Sequence, residues 1–237
     1  MDFVFSPPPV ASLEVAGSNS RFPIRRVYCV GRNYADHARE MGAHEQADGR
    51  EPPFFFCKPA DAVLGGGDVP YPPATANLQH EVELVVALGP ATATAGNEGA
   101  DIPVSDALAC VYGYTVGFDL TRRDVQARAK EKGHPWDMGK GFDASAPAGV
   151  LQPVAAIGHP ERGNIWLKVN GELRQNGDLA NMSWHVAEVI ANLSTFVRLM
   201  PGDLIFTGTP AGVSTVVQGD VLEGGVSGVG ELKIRLV

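Results

Sequence analysis

The chain has 237 residues, and its 19 Lys and Arg residues against 27 Asp and Glu residues give a formal net charge of −8. With 44% hydrophobic and 19% charged residues, the composition is that of a globular protein and excludes the disordered and fibrous classes. The acidic balance argues against nucleic acid or an anionic membrane as a partner, because both require clustered Lys and Arg. A small molecule or another protein is the expected partner.

The first 23 residues are predicted to form an arm or irregular strand on the domain surface, because they lack periodicity and are rich in proline. A single domain is expected over residues 24–237. The N-terminus lacks the basic and apolar regions of an export signal. No uncharged run approaches the roughly 20 residues of a membrane-spanning helix. The sequence therefore favours a soluble, cytoplasmic protein.

Short apolar runs between turn residues predict strands throughout the chain. The predicted strands are residues 27–30, 54–57, 81–88, 111–118, 164–169, 173–176, 204–206 and 231–236. Asn170-Gly171 separates two of them and predicts an antiparallel hairpin with a type I′ turn. Together with 28 Gly and 18 Pro residues, these runs favour a sheet-dominated fold over a helical bundle.

Three segments carry the signals of a helix. One helix is predicted after Gly31-Arg32-Asn33 and through Met41, a second over residues 122–132, and a third over residues 183–200, whose apolar residues recur on one helix face. The polar, proline-terminated segment 44–53 is predicted to be a mobile loop.

The signatures of several common enzyme classes are absent. The sequence has no G-x-S-x-G, no H-E-x-x-H and no G-x-G-x-x-G after a strand. The three cysteines, Cys29, Cys57 and Cys110, lack the spacing of zinc or redox sites and lie in apolar runs, so they are predicted to be reduced core residues.

Glu81 and Glu83 begin a strand that continues as an apolar run. Being two residues apart, their carboxylates project from one face at a spacing of about 7 Å. A hard divalent cation would relieve their repulsion, and Asp119, at the end of another strand, could supply a third oxygen. The alternative is a solvated strand face, with Asp119 capping the next helix. The apolar continuation argues against exposure, but spacing alone does not decide between the two.

His37 and Glu40 are three residues apart in the first predicted helix, so they share a face and the carboxylate can orient the imidazole. Such a pair can act as a general base near neutral pH. The alternative is an ordinary surface pair. His80, beside Glu81, is a candidate only for supporting the metal ligands.

Two glycine-flanked segments could approach a ligand closely. Lys140 lies between two glycines, whose lack of a side chain permits a close approach. The segment 208–212 follows a strand and could turn its backbone N–H groups and the Thr209 hydroxyl toward a carboxylate. An exposed loop lysine and a simple turn are the respective alternatives.

Four ordered motifs, taken together, resemble the fumarylacetoacetate hydrolase family. They are Cys29-Val30-Gly31-Arg32-Asn33-Tyr34-Ala35-Asp36-His37, Glu81-Val82-Glu83-Leu84, Gly117-Phe118-Asp119 leading to Arg123-Asp124-Val125-Gln126, and Phe206-Thr207-Gly208-Thr209-Pro210-Ala211-Gly212-Val213. The similarity spans residue 24 to the C-terminus. Within the family, the chain is most similar to the members that hydrolyse fumarylpyruvate and other acylpyruvates.

The resemblance implies a mixed, β-rich α+β fold, the curved β-roll of the family's C-terminal domain, and usually a homodimer. It also implies a divalent cation, Mg²⁺ or Mn²⁺, with Ca²⁺ able to replace them in crystals. By position, Glu81, Glu83 and Asp119 match the metal ligands, His37 and Glu40 the water-activating dyad, Lys140 the oxyanion-stabilising lysine, and Arg123, Gln126 and Thr209 substrate-contacting positions. The 23 residues before the similarity cannot form the extra N-terminal domain of the animal fumarylacetoacetate hydrolases.

The function that the resemblance implies is metal-dependent hydrolysis of a carbon–carbon bond in a β-diketo acid. Fumarylpyruvate, cleaved to fumarate and pyruvate in the breakdown of aromatic compounds such as gentisate, is the leading substrate. One alternative keeps the metal site but performs decarboxylation or keto–enol isomerisation of a 2-oxo acid such as oxaloacetate. Another is a non-catalytic metabolite-binding protein on the same fold.

Overall fold

The computed structural model describes residues 2–40 and 50–237, and strands dominate this part of the chain. The strands are β1 (Ser12–Glu14), β2 (Arg21–Pro23), β3 (Val27–Gly31), β4 (Phe54–Lys58), β5 (Val63–Leu64), β6 (Gly67–Val69), β7 (Leu78–Gln79), β8 (Val82–Leu88), β9 (Val111–Phe118), β10 (Thr121–Arg122), β11 (Ala146–Pro147), β12 (Gln152–Pro153), β13 (Asn164–Val169), β14 (Glu172–Asp178), β15 (Leu204–Phe206), β16 (Thr215–Val216), β17 (Val221–Val226) and β18 (Gly230–Leu236).

Helices are short and lie between the strands. The α-helices are α1 (Ala35–Glu40), α2 (Val104–Ala107), α3 (Arg123–Lys132), α4 (Asp137–Lys140), α5 (Val154–Ile157) and α6 (Val186–Phe196). Single 3₁₀ turns occur at Ala60–Ala62, Pro90–Thr94, Leu108–Cys110 and Leu179–Asn181. No helix in residues 2–40 and 50–237 is long and apolar enough to cross a membrane.

Two large sheets organise the molecule. The six-stranded sheet has the order β12-β9-β8-β15-β3-β4, and the five-stranded sheet has the order β14-β13-β17-β18-β6. Most neighbouring strands are antiparallel, whereas β15 runs parallel to β3 and β18 parallel to β6. A small three-stranded sheet, β10-β7-β16, lies beside the start of β8. This architecture confirms the predicted mixed, strand-rich fold.

Strand β8 is buried on both faces, which explains its continuous apolar sequence. Leu84 and Val86 belong to the larger hydrophobic cluster, which fills the space around both sheets. Val85 and Ala87, on the opposite face, belong to a smaller cluster. A strand that enters the core on both faces leaves no solvent for the carboxylate of Glu83, which is only 2% exposed.

The smaller cluster also takes residues from the N-terminal segment. Strands β1 and β2 pair in antiparallel register, and Leu13 and Phe22 from this pair are buried against Val85 and Phe206 in the smaller cluster. Part of the segment predicted as an arm therefore contributes to the core. The division of the chain into an arm over residues 1–23 and a single domain over residues 24–237 stays a prediction.

Most predicted elements are present. Strands β3, β4, β8, β9, β13, β14, β15 and β18 confirm the predicted strands. The hairpin is also confirmed, because φ is positive at both Asn170 (51°) and Gly171 (83°), as a type I′ turn requires. Helix α3 ends at Gly133, which has a left-handed backbone.

Four sequence predictions are revised or lie outside the described residues. The helix predicted over 183–200 is shorter, because a capping box between His185 and Glu188 begins α6 at Val186 and the backbone is extended at Val197. Cys57 is exposed rather than buried, because β4 is an edge strand of its sheet. The end of the first predicted helix and most of the predicted loop 44–53 fall on residues 41–49, outside the described residues.

Candidate metal centre and active site

The pairing of β8 with β9 brings the three predicted carboxylates together. Val82 pairs with Phe118, so Glu81, just before β8, lies opposite Asp119, just after β9. The Asp119 N–H donates to the Glu81 carbonyl at 2.9 Å. One carboxylate oxygen from each of Glu81, Glu83 and Asp119 lies within 4.8 Å of the others, and all three residues are buried. The alternative of a solvated strand face is therefore wrong.

Three buried or nearly buried cations pair with two of these acids, Glu81 and Asp119. Lys140 Nζ donates to Glu81 Oε2 at 2.8 Å and to Asp119 Oδ2 at 2.6 Å. Lys58 Nζ lies 2.8 Å from Asp119 Oδ1, and Arg123 is ion-paired with Glu81 Oε1. Burial opposes a charge on Lys140, but Asp119 and Glu81 outweigh it and raise the pKa of its ammonium. The alternative of an exposed loop position for Lys140 is also wrong, since it is 3% exposed.

Glu83 has the least compensation among the three acids. It has no ion pair with any described residue, and its Oε2 accepts one hydrogen bond, from Gly208 N–H at 2.7 Å. Burial, together with the charges of Asp119 and Glu81, raises the pKa of the Glu83 carboxyl well above its ordinary value. An added positive charge near Glu83 would therefore stabilise the cluster.

The cluster fits a divalent cation. Besides the uncompensated Glu83, Asp119 Oδ1 accepts no hydrogen bond from the described residues, although Lys58 Nζ is close. Carboxylate oxygens are the ligands that Mg²⁺ and Mn²⁺ prefer, and three such oxygens from two strands leave further coordination positions open. Glu81, Glu83 and Asp119 would hold the ion.

The dyad residues lie on α1, beside the acids. His37 is 6% exposed and lines the same pocket as the three carboxylates. Its Nδ1 is 3.3 Å from Glu40 Oε2, and Glu40 also accepts from Gly212 N–H at 3.2 Å. Burial lowers the pKa of His37, so the imidazole is neutral near pH 7 and can accept a proton. A surface pair, the alternative weighed for these residues, does not describe His37.

The remaining predicted residues surround the acids, and some of their polar groups are already engaged. Arg123 donates to Gln79 Oε1 at 2.6 Å and to Gln126 Oε1 at 2.7 Å. The Thr209 hydroxyl donates to the Val82 carbonyl at 2.7 Å and accepts from another side chain, so it is used within the protein. The single O–H donor of Thr209 is therefore occupied, and a carboxylate ligand would have to bind its backbone N–H.

Several site residues were not predicted from the sequence. Lys58 is the clearest, because a lysine that ends the apolar run of β4 is 3% exposed and requires a buried acidic partner. Phe54, Phe56, Trp136 and Lys130 line the outer part of the pocket. The only signal in the sequence for Phe54 and Trp136 is the proline that precedes each of them.

A larger cavity lies elsewhere in the described residues. It has a volume of about 610 Å³ and is lined by residues that include Tyr114, His159 and Met182. Its lining contains no cluster of acids, whereas the narrow pocket at Glu81 is lined by the three acids together with His37, Arg123 and Lys140. The chemistry therefore favours the narrower pocket.

A metal-stripped sample should gain thermal stability on addition of Mn²⁺, because the ion offsets repulsion between buried carboxylates. At a free concentration 100 times its Kd, a ligand that binds only the folded state adds about 2.7 kcal/mol. Glu83→Gln should shrink the Mn²⁺-dependent rise in Tm and leave the metal-free Tm at or above that of the wild type. Scanning calorimetry measures both, with the exposed Glu231→Gln as the control. If Mn²⁺ does not change the Tm of the wild-type protein, the assignment of a metal site to these carboxylates is contradicted.

Comparison with known proteins agrees with this geometry. The model of the family described as fumarylacetoacetate (FAA) hydrolase C-terminal matches residues 26–237. The crystal structure of fumarylpyruvate hydrolase from Pseudomonas aeruginosa in complex with Mn²⁺ and pyruvate is 50% identical, with a TM-score of 0.93, and the match covers 100% of this chain and 99% of that one.

Two characterised relatives represent different reactions. Fumarylpyruvate hydrolase of Ralstonia sp is 41% identical over 187 residues, which cover 78% of this chain and 93% of the relative. The mitochondrial oxaloacetate tautomerase FAHD1 of Rattus norvegicus is 39% identical over 213 residues, 90% of this chain and 91% of the relative. The extent of these matches and the shared fold show that the chain belongs to the fumarylacetoacetate hydrolase family, whose C-terminal domain it contains.

Proposed function

We propose that this chain is a metal-dependent hydrolase that cleaves fumarylpyruvate to fumarate and pyruvate. The observation that carries the proposal is one pocket in which three buried carboxylates face a neutral, carboxylate-bound histidine. The 50% identity to a fumarylpyruvate hydrolase solved with Mn²⁺ and pyruvate supports this substrate.

His37 is the general base of the proposed reaction. With Nδ1 directed to Glu40, the other ring nitrogen accepts a proton from a water molecule. That water attacks the carbonyl carbon of the fumaryl group and adds its oxygen there. The bond from this carbon to the methylene group then breaks, its electron pair stays with the pyruvate part, and a proton completes the pyruvate. Fumarate leaves as the second carboxylic acid.

Lys140 and Gln126 stabilise the oxygen that becomes negative. An ammonium group has three N–H donors, and Lys140 uses two of them on Glu81 and Asp119, so one is free for the substrate. Gln126 accepts from Arg123 through Oε1, which leaves its amide N–H groups free to donate. A bound Mg²⁺ or Mn²⁺ would supply a Lewis acid for the negative charge of the pyruvate part.

The outer part of the pocket suits the second carboxylate of fumarylpyruvate. Arg32 and Lys130 line it together with Phe54 and Trp136. Lys130 Nζ lies 4.9 Å from the centre of the Trp136 ring and has no acidic partner among the described residues. Burial, with the charges of Arg123 and Arg32, lowers the pKa of Lys130 to about 8. An anion placed here would offset the repulsion among these cations.

The backbone conformation at Arg32 is fixed by its surroundings. Its φ of 56° is left-handed, which a non-glycine residue adopts only when the surroundings fix it. Asn33, fully buried, fixes the turn by donating to the carbonyls of Trp184 (2.9 Å) and Thr207 (2.8 Å). Arg32 Nε has no hydrogen-bond partner among the described residues, while Nη1 of the same guanidinium lies 3.7 Å from Glu51 Oε2, so the group is only partly engaged and Nε can bind an anion.

The second candidate is keto–enol isomerisation of oxaloacetate. The 39% identity to the rat oxaloacetate tautomerase favours it. His37 could transfer the single proton that this reaction moves, and oxaloacetate is too short to need the outer cations. The decarboxylase and the non-catalytic binding protein have no comparable support. A homodimer, a cytoplasmic location and a role in the breakdown of aromatic compounds belong to the proposal.

Purified protein with Mg²⁺ or Mn²⁺ should convert fumarylpyruvate to fumarate and pyruvate in equal amounts, and removal of the metal by a chelator should abolish turnover. The reason is that bond cleavage needs both the base and a charge sink for the pyruvate part. Chromatography of the products measures the outcome. Full activity after metal removal, or isomerisation of oxaloacetate without cleavage of fumarylpyruvate, would reject the proposed hydrolase.

His37→Ala should lower kcat at least ~100-fold, because general-base catalysis contributes factors of about 10² to 10⁴. Binding of the substrate does not require the base, so KM should change far less. Steady-state kinetics separates the two constants. His134→Ala, at an exposed histidine, is the matched control and should behave as the wild type. Near-normal turnover of His37→Ala would remove His37 from the mechanism.

Lys130→Met should raise KM for fumarylpyruvate about tenfold or more, because the distal carboxylate loses a cation in a partly buried pocket. For an acylpyruvate with a neutral acyl group, such as acetylpyruvate, the KM should rise much less. The ratio of kcat/KM for the two substrates measures this difference. Lys132→Met, on the exposed side of α3, serves as the control. Equal losses for both substrates would refute a role of Lys130 in recognising the carboxylate.

A further inference from the structure

A buried polar pair lies behind the metal carboxylates and has no place in the mechanism above. His80 and Gln175 are both fully buried. His80 Nδ1 is 2.9 Å from Gln175 Oε1, and its Nε2 is 2.9 Å from Ser214 Oγ. Val82 N–H also donates to Gln175 Oε1, at 3.0 Å. The pair therefore links the hairpin strand β14 to the start of β8, which carries Glu83.

The bond from Val82 fixes which way the Gln175 amide faces. A backbone N–H can only donate, so the atom facing it is the oxygen. The Nε2 group then faces the segment after β15, where it donates to Thr209 Oγ1 at 2.7 Å and to the Pro210 carbonyl at 2.8 Å. The Gln175 amide thus makes four hydrogen bonds, and two of them hold the segment 208–212.

This segment contacts both halves of the active site. At one end, Gly208 N–H donates to Glu83 Oε2 at 2.7 Å. At the other end, Gly212 N–H donates to Glu40 Oε2 at 3.2 Å. Both glycines have positive φ, 94° and 100°, and a Cβ at position 212 would lie 2.0 Å from the Arg174 carbonyl oxygen. The segment therefore follows a single path, set by its bonds to β14 and β8.

We infer that Gln175, oriented by the Val82 N–H and bonded to His80, is a positioning residue that sets the metal affinity and the geometry of the base at the same time. It fixes the segment 208–212, so that Gly208 holds Glu83 toward the metal position and Gly212 holds Glu40 against His37. Among the described residues, the Gln175 side chain makes no hydrogen bond to a metal ligand or to the dyad. The part of this inference that concerns turnover rests on the proposed function.

Two substitutions distinguish the hydrogen bonds that Gln175 accepts from those that it donates. Gln175→Met keeps the size of the side chain and removes all four hydrogen bonds. Gln175→Glu keeps an accepting oxygen for His80 and Val82, whereas an ionised carboxylate donates no hydrogen bond to the segment 208–212 and a protonated one donates at most one. Because its accepted bonds are intact, Gln175→Glu also provides a second variant if Gln175→Met does not fold. Glu172→Gln, exposed on the same strand, is the matched control.

The test measures Mn²⁺ binding to the metal-stripped protein by titration calorimetry, and kcat and KM for fumarylpyruvate at saturating Mn²⁺. Both Gln175 variants should bind Mn²⁺ at least about tenfold more weakly and lose at least about tenfold in kcat, the range found when partners of metal ligands are replaced. KM should stay within about threefold, because Arg123 and Gln126, which line the pocket, are held by hydrogen bonds that do not involve Gln175.

Several outcomes would overturn the inference. If a folded Gln175 variant has a lower Tm but an unchanged Kd for Mn²⁺ and an unchanged kcat, Gln175 is merely structural. If only the Kd for Mn²⁺ changes, or only kcat, Gln175 does not position the metal ligands and the base jointly. If the wild type itself does not cleave fumarylpyruvate, the proposed function fails, while the Mn²⁺ titration still tests the effect of Gln175 on the metal site.

Discussion

The burial of three carboxylates at the start of one strand and the end of its neighbour governs the rest of this site. Transfer of a single charged group out of water costs several kcal/mol even after relaxation, so the acids persist only with partners. Lys58, Lys140 and Arg123 supply three positive charges within bonding distance of Glu81 and Asp119. Glu83 receives none, and this imbalance is the physical reason to expect a cation.

The sheets provide the precision that such a site needs. Because β8 packs different side chains into the two hydrophobic clusters, a slip of one residue against β9 would exchange the residues of these clusters and turn Glu83 to the opposite face. The relative position of Glu83 and Asp119 is therefore set by core packing rather than by the acids themselves. Lys140 comes from a separate short helix, α4. It reaches Glu81 and Asp119 only in the folded chain, where α4 lies near β4 and the end of β9.

The sequence was informative where one strand or one helix carried the signal. Glu81 and Glu83 were predicted because their alternation ran into an apolar strand, and His37 with Glu40 because they share a helical face. Lys58 and Gln175 could not be found this way, since their partners, such as Asp119 and Thr209, are distant in sequence and become neighbours only through sheet pairing. The exposure of Cys57 depended likewise on β4 being an edge strand, which is a property of the topology.

Helix α1 is supported differently from the acids it faces. Among the described residues it has six, and the Glu40 side chain is 38% exposed and is held by Gly212 through contacts longer than 3 Å. The three acids are thus part of the folded core, while Glu40 lies at its margin. A substitution at Glu40 can consequently change the surroundings of His37 while the sheets still hold the buried carboxylates in place.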